Sequence, residues 1–241
     1  MITDIFKIGV FHKVLNLDTK KIEKYCLKLK KENPTRNISN VGGWQSNNLQ
    51  GEHLVLNELF EDIEHYSNEF AKSLDIKTPL KLENIWININ EYKDWNMVHN
   101  HPGSTFSGVY YVNEFENSGS LNFSNGYADV LQCIWPDYKI EKFNEYNSLW
   151  RKVPPIKNNL IIFPAFLNHF VSPNLNKNKK RISISFNIVE NYWYLYLIIT
   201  TPFPPAPPPL APKLGKVVPP PPPKPVFAPP AWPETSLPKK A

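Results

Sequence analysis

The chain has 241 residues, 41% of them hydrophobic, and a formal net charge of +5, which gives room for one domain of ordinary size and an appendage. Residues 202–241 hold 17 of the 25 prolines and five lysines against one glutamate, so +4 of the net charge belongs there and +1 is left for residues 1–201. No nucleic-acid partner is expected, because a binding face needs basic residues clustered on a folded surface, and two cysteines, Cys26 and Cys133, are too few for a disulfide framework.

Lys7 and Lys13 interrupt the apolar residues near the start, so no secretory signal is read and a cytoplasmic location is expected. In chain order, Asp18 is placed to cap a helix whose apolar positions Ile22, Cys26, Leu27 and Leu29 fit a 3.6-residue period, and Pro34 ends it. The segment 40–46, with Gly42, Gly43 and Trp44, is rich in turn residues, and Trp44 is expected to plug the core. A second helix is predicted over 54–73, with Leu56, Leu59, Phe60, Ile63, Tyr66, Phe70 and Ala71 as its apolar stripe. Residues 1–79 thus form an expected helical cover.

From Leu80 the period changes to two. Residues 84–90 alternate apolar and polar side chains, the signature of a half-buried strand. Runs at 106–112, 120–123, 159–163 and 181–189 repeat it, separated by turns at 102–104, 117–119, 125–126 and 174–178. Many short strands after two helices predict a mainly β domain over 80–200, an antiparallel barrel or jelly roll. The apolar run 192–199 suits a final strand and is too short to span a bilayer, so no membrane partner is expected. Residues 201–241 form a proline-rich tail, disordered or polyproline II in character, with P-x-x-P patterns that could meet a partner's aromatic groove.

Six histidines occur in the chain, and His99-Asn100-His101 is followed 68 residues later by His169 and a further 12 later by Arg181-Ile182-Ser183. Side chains alternate along an extended segment, so His99 and His101 share a face. With His169 from a distant strand they could close one face of a metal and leave coordination positions open. Asp94 or Asp129 could instead supply a carboxylate. Three imidazoles are also the ligand set of some zinc hydrolytic enzymes, and a non-catalytic jelly roll presenting its tail is a third reading. Trp95, Tyr110, Tyr127 and Trp135 are candidates for a substrate rim.

Trp86, His99-Asn100-His101-Pro102-Gly103-Ser104, Ser107-Gly108-Val109-Tyr110-Tyr111-Val112, Phe163-Pro164, His169-Phe170-Val171-Ser172-Pro173 and 181–187 together resemble the 2-oxoglutarate- and Fe(II)-dependent oxygenases. The resemblance is to the prolyl-hydroxylase-related subfamily of marine bacteria and their phages, and it spans residues 40–190. It implies a double-stranded β-helix with Fe(II) in its mouth, 2-oxoglutarate as co-substrate, and hydroxylation by dioxygen of an unidentified small-molecule or protein substrate. It also implies His99, His101 and His169 as metal ligands, Arg181 and Ser183 as the Arg-x-Ser anchor of the 2-oxoglutarate carboxylate, and Tyr111 as a hydrogen-bonding tyrosine for the same group. His101 departs from the superfamily's usual His-x-Asp, which would leave the site one negative charge short.

Overall fold

The structure, a computed structural model, describes residues 2–4, 7–49, 51, 53–191. The expected strand 192–199 and the proline-rich segment lie outside them. The elements run β1 (Phe11–Val14), α1 (Thr19–Glu32), β2 (Asn40–Val41), β3 (Trp44–Gln45), α2 (Asn57–Ser73), β4 (Leu80–Asn90), β5 (Trp95–His99), β6 (Phe106–Tyr111), β7 (Leu121–Ser124), α3 (Ala128–Ile134), β8 (Trp150–Val153), β9 (Asn159–Pro164), β10 (His169–Val171) and β11 (Arg181–Glu190). They form a six-stranded sheet of order β1-β9-β6-β11-β4-β3 and a five-stranded sheet of order β2-β5-β10-β7-β8. Every strand pairing is antiparallel.

The expected first helix is capped as read. The Asp18 carboxylate accepts from the amides of Lys20 and Lys21, each at 3.1 Å, satisfying donors that a helix start leaves free; such a cap contributes about 1 kcal/mol. Its last turn carries Lys30 and Lys31, favourable against the helix dipole. The chain turns extended at Asn33, as the residue before a proline prefers. The second helix begins three residues later than expected, because residues 54–56 form a turn. Residues 1–79 also contribute strands: β1 pairs with β9, β2 with β5 and β3 with β4.

The larger sheet separates two interiors by period-two alternation. On β11, Ile182, Ile184, Phe186 and Ile188 face the helices and join Ile22, Cys26, Leu59, Ile63 and Phe70 in the main core. Trp44 is buried in that core, and its indole nitrogen donates to the Asn33 carbonyl at 3.0 Å. On the other face, Val109 and Tyr111 of β6 meet Leu121, Phe123, Ile161 and Phe163 between the two sheets. Residues 84–90 differ from the half-buried strand expected: Asn88 and Asn90 are buried along with Ile87 and Ile89, because their side faces the second sheet rather than water. The expectation of strands without intervening helices fails at α3, which buries none of its residues. Among the described residues, no helix is long and apolar enough to cross a membrane.

Candidate active site

The three histidines singled out by spacing come together. His99 ends β5 and His169 begins β10, and the two are direct cross-strand partners. His101 lies just past β5, held by its amide donating to the Ala165 carbonyl at 3.0 Å. One ring nitrogen from each of the three falls within 4.8 Å of the others. The rings of His99 and His169 have centroids 4.3 Å apart, and Trp86 packs 5.9 Å from His101. Asp94 and Asp129 are not in the cluster. The Asp94 carboxylate instead accepts from the Glu91 amide at 2.7 Å, and Asp129 lies exposed on α3.

Local hydrogen bonds decide which nitrogen is available. His99 Nδ1 lies 2.7 Å from the Met97 carbonyl and His169 Nδ1 lies 2.8 Å from the Leu167 carbonyl. A carbonyl can only accept, so each Nδ1 carries the proton and each neutral ring keeps its lone pair on Nε2. Burial pushes the His169 imidazole down to about 3 and that of His101 down to about 4, with His99 adding to both effects and His101 to the first, and burial lowers His99 as well. Three neutral imidazoles are a donor set for a divalent transition metal, and the Met97 and Leu167 carbonyls fix the orientation of two of the rings.

The cavity lined by these histidines is also lined by Arg181, Ser183 and Tyr111. Arg181 is not the surface residue that neighbouring Lys179 and Lys180 would suggest; it is 1% exposed. Its Nη1 donates to the carbonyls of Ser118 and, at 3.0 Å, Ser172, while Nη2 is buried with no partner. Gly119, at φ +83°, leaves room for this guanidinium, since a Cβ there would meet Nη1. The start of β11 is fixed by the fully buried Asn174, whose Nδ2 donates to the carbonyls of Asn90 at 3.0 Å and Lys179 at 2.8 Å. Burial pushes the Tyr111 hydroxyl up to about 12, against the pull of Arg181. The side chains of Tyr111 and Ser183 line the same cavity. An unused charged donor in a cavity also lined by two hydroxyl side chains fits a carboxylate, which an arginine fork holds with geometric specificity.

The expected aromatic rim separates. Tyr110 is buried on the helix side of β6 and its hydroxyl donates to Asn158, because neighbouring residues of a strand face opposite ways. Tyr127 and Trp135 flank α3 and are exposed, and Trp95 on β5 is half-buried; none of the three lines the cavity. The sequence reading missed the inward amides Asn88, Asn90 and Asn96, which do line it. Their signal was an amide-only polar face on a long strand.

Residues 84–187 match a family model described as "Putative 2OG-Fe(II) oxygenase". Among solved structures, a prolyl-4-hydroxylase from Pseudomonas putida is 14% identical, covering 76% of this chain and 94% of its own, with a TM-score of 0.55. The carbocyclase SnoK of nogalamycin biosynthesis, described as non-heme and alpha-ketoglutarate dependent, is 15% identical over 76% of this chain and 80% of its own, with a TM-score of 0.54. HygX from Streptomyces hygroscopicus, solved with nickel and 2-oxoglutarate bound, is 12% identical over 77% of this chain and 84% of its own, with a TM-score of 0.53. At these identities the likeness shows a shared jelly-roll fold. No curated protein matches the chain in sequence.

Proposed function

We propose that this protein, whose residues 84–187 match a 2OG-Fe(II) oxygenase family model, holds Fe(II) on His99, His101 and His169, holds 2-oxoglutarate between that metal and Arg181, and hydroxylates an unidentified substrate. The observation that carries this reading is the meeting, in one cavity, of three neutral imidazoles and a buried guanidinium with an unused nitrogen. A three-histidine zinc hydrolase would have no use for that nitrogen.

Each residue has a role that follows from its surroundings. The Met97 and Leu167 carbonyls keep protons on Nδ1 of His99 and His169, presenting Nε2 to the metal without a titration step near neutral pH. Arg181 Nη2, with the Ser183 and Tyr111 hydroxyls, holds the far carboxylate of 2-oxoglutarate. Bound Fe(II) and 2-oxoglutarate supply the oxidising chemistry, in which dioxygen is consumed as the keto acid loses carbon dioxide. The apolar wall of Val109, Leu121 and Phe163 keeps water from the reacting atoms, strengthening every charge interaction inside. Because all three ligands are neutral, the metal keeps its full double charge and favours anionic co-substrates. The two unpaired cysteines, one buried and one exposed, support a reducing cytoplasm as the working compartment.

The test is succinate formation by full-length protein loaded anaerobically with Fe(II) and 2-oxoglutarate and then given air, beside calorimetric titration of 2-oxoglutarate into metal-loaded protein. Binding and succinate are expected. A protein that retains Fe(II) but neither binds nor consumes 2-oxoglutarate would overturn the reading.

A further inference from the structure

A second cavity, of about 290 Å³, is lined by His99, His101 and Trp86, as the first is, but not by Arg181. It therefore meets the proposed metal ligands without including the carboxylate anchor, the place a second substrate would occupy. Its volume lies at the small end of ligand pockets, roughly 300–1,000 Å³, and suits one small molecule.

The chemistry of its walls is one-sided. No aspartate or glutamate lines it, and its single formal charge is Arg36. The Arg36 guanidinium is exposed, reaches only the Asn48 side-chain oxygen at 3.4 Å, and has no carboxylate partner among the described residues. Amides supply most of the remaining polar wall: Gln45, Asn48, Asn84, Asn100 and Asn187. Asn187 is fixed, donating to Asn84 at 2.9 Å and accepting from Ser107 at 2.7 Å. Gln45 differs, being 4% exposed with an Oε1 that has no partner. A buried amide oxygen without a partner is unusual in a folded protein.

We infer that this cavity binds the substrate to be oxidised, and that the substrate is a small polar organic anion. Its carboxylate or phosphate pairs with Arg36, a hydroxyl or amide group completes Gln45, and the carbon to be oxidised sits beside His99 and His101. A cationic substrate would face Arg36 with no acid to compensate it, and a hydrocarbon chain would leave the amides unpaired. This inference rests on the metal site proposed above.

The experiment uses full-length protein under argon with Mn(II) in the metal site and saturating 2-oxoglutarate, and reads paramagnetic broadening of proton resonances. The probes are gluconate, glycerol 2-phosphate, glycerol, choline and the capped peptide acetyl-Ala-Pro-Ala-amide, each corrected for broadening by free Mn(II). Gluconate or glycerol 2-phosphate is expected to broaden at least tenfold more than glycerol, with choline unaffected. In Arg36→Gln that preference disappears, in Arg36→Glu choline replaces the anions, and in Gln45→Met anion broadening falls severalfold while circular dichroism stays that of the parent. Equal broadening of anion and neutral probes, broadening of the peptide alone, or broadening of none with Mn(II) and 2-oxoglutarate bound would each overturn the inference. Mn(II) that remains free in the presence of protein, with no effect of His169→Ala on its electron paramagnetic resonance signal, would remove the metal-site reading first and this inference with it.

Discussion

The two faces of β11 carry different kinds of information. Toward the helices stand Ile182, Ile184, Phe186 and Ile188, each at most 1% exposed, in a core that also takes side chains from α1, α2, β4 and β9. Toward the second sheet stand Arg181, Ser183, Ser185 and Asn187, also largely buried. One strand thus buries a hydrocarbon face, which lowers the free energy of the fold, and a polar face, which raises it unless every group is satisfied. Asn187 and Ser185 are satisfied by neighbours. Arg181 Nη2 is not. On the proposed reading, the Arg181 nitrogen left unpaired on this face is where the co-substrate carboxylate sits.

That contrast is open to direct attack. The largest effect is expected at His169: replacement by alanine removes a proposed ligand itself, so succinate formation should fall by more than the roughly 10- to 100-fold that loss of an outer-shell partner costs, reaching background. Metal analysis of the purified variant separates loss of metal from loss of chemistry. Next comes Arg181→Met, which keeps length and removes charge. Losing charge-assisted bonds to a carboxylate costs about 2 kcal/mol or more, at least ~30-fold in 2-oxoglutarate affinity. Calorimetry should find that weakening with metal content unchanged. The control is Ile188→Ala on the opposite face, expected to lower unfolding free energy by about 2–5 kcal/mol while folded protein keeps its KM for 2-oxoglutarate. If Arg181→Met leaves affinity intact, the two faces do not divide the work as described.

How far this division could be read beforehand depended on residue type. The helix capped by Asp18, the stripe Leu59, Ile63 and Phe70, and the period-two runs at β4, β6, β9 and β11 were legible because local spacing sets which side is apolar. The histidines were legible because His99-x-His101 is short-range and rare in a chain with six histidines. What was not legible depends on contacts distant in sequence. Asn88 and Asn90 read as a solvent face, since alternation says which residues share a side but not whether that side meets water or a second sheet. Strand β10 has three residues, too few to establish a period. Gln45 looked like part of a turn around Trp44, and its unpaired oxygen emerges only once β3 pairs with β4.

A smaller effect is expected from pH on metal-free protein. His169 and His101 titrate near 3 and near 4 in the fold, against about 6.5 in an unfolded chain. Between those values the unfolded state binds more protons than the folded one, so stability falls as pH drops from about 6.5 toward 4 and is restored as it rises. Denaturant midpoints measured with chelator across that window should show this slope, and His169→Gln should make it shallower. A slope of opposite sign would mean that the imidazoles gain a proton on folding, incompatible with burial as the dominant influence.

The smallest effect bears on whether the polar face is a site or merely a tolerated cost. Tyr111 is 1% exposed and lines the same cavity as Arg181. Tyr111→Phe removes one oxygen from a packed ring that Phe163 and Leu121 continue to enclose. If the hydroxyl meets the 2-oxoglutarate carboxylate, its loss should weaken co-substrate binding by about 0.5–1.5 kcal/mol, roughly two- to twelvefold. The unliganded protein should then be about as stable as before, because the ring and its packing are kept. Weaker 2-oxoglutarate binding together with unchanged stability assigns the hydroxyl to the ligand. Lower stability with unchanged binding would instead assign it to packing between the sheets, leaving Arg181 and Ser183 as the anchor.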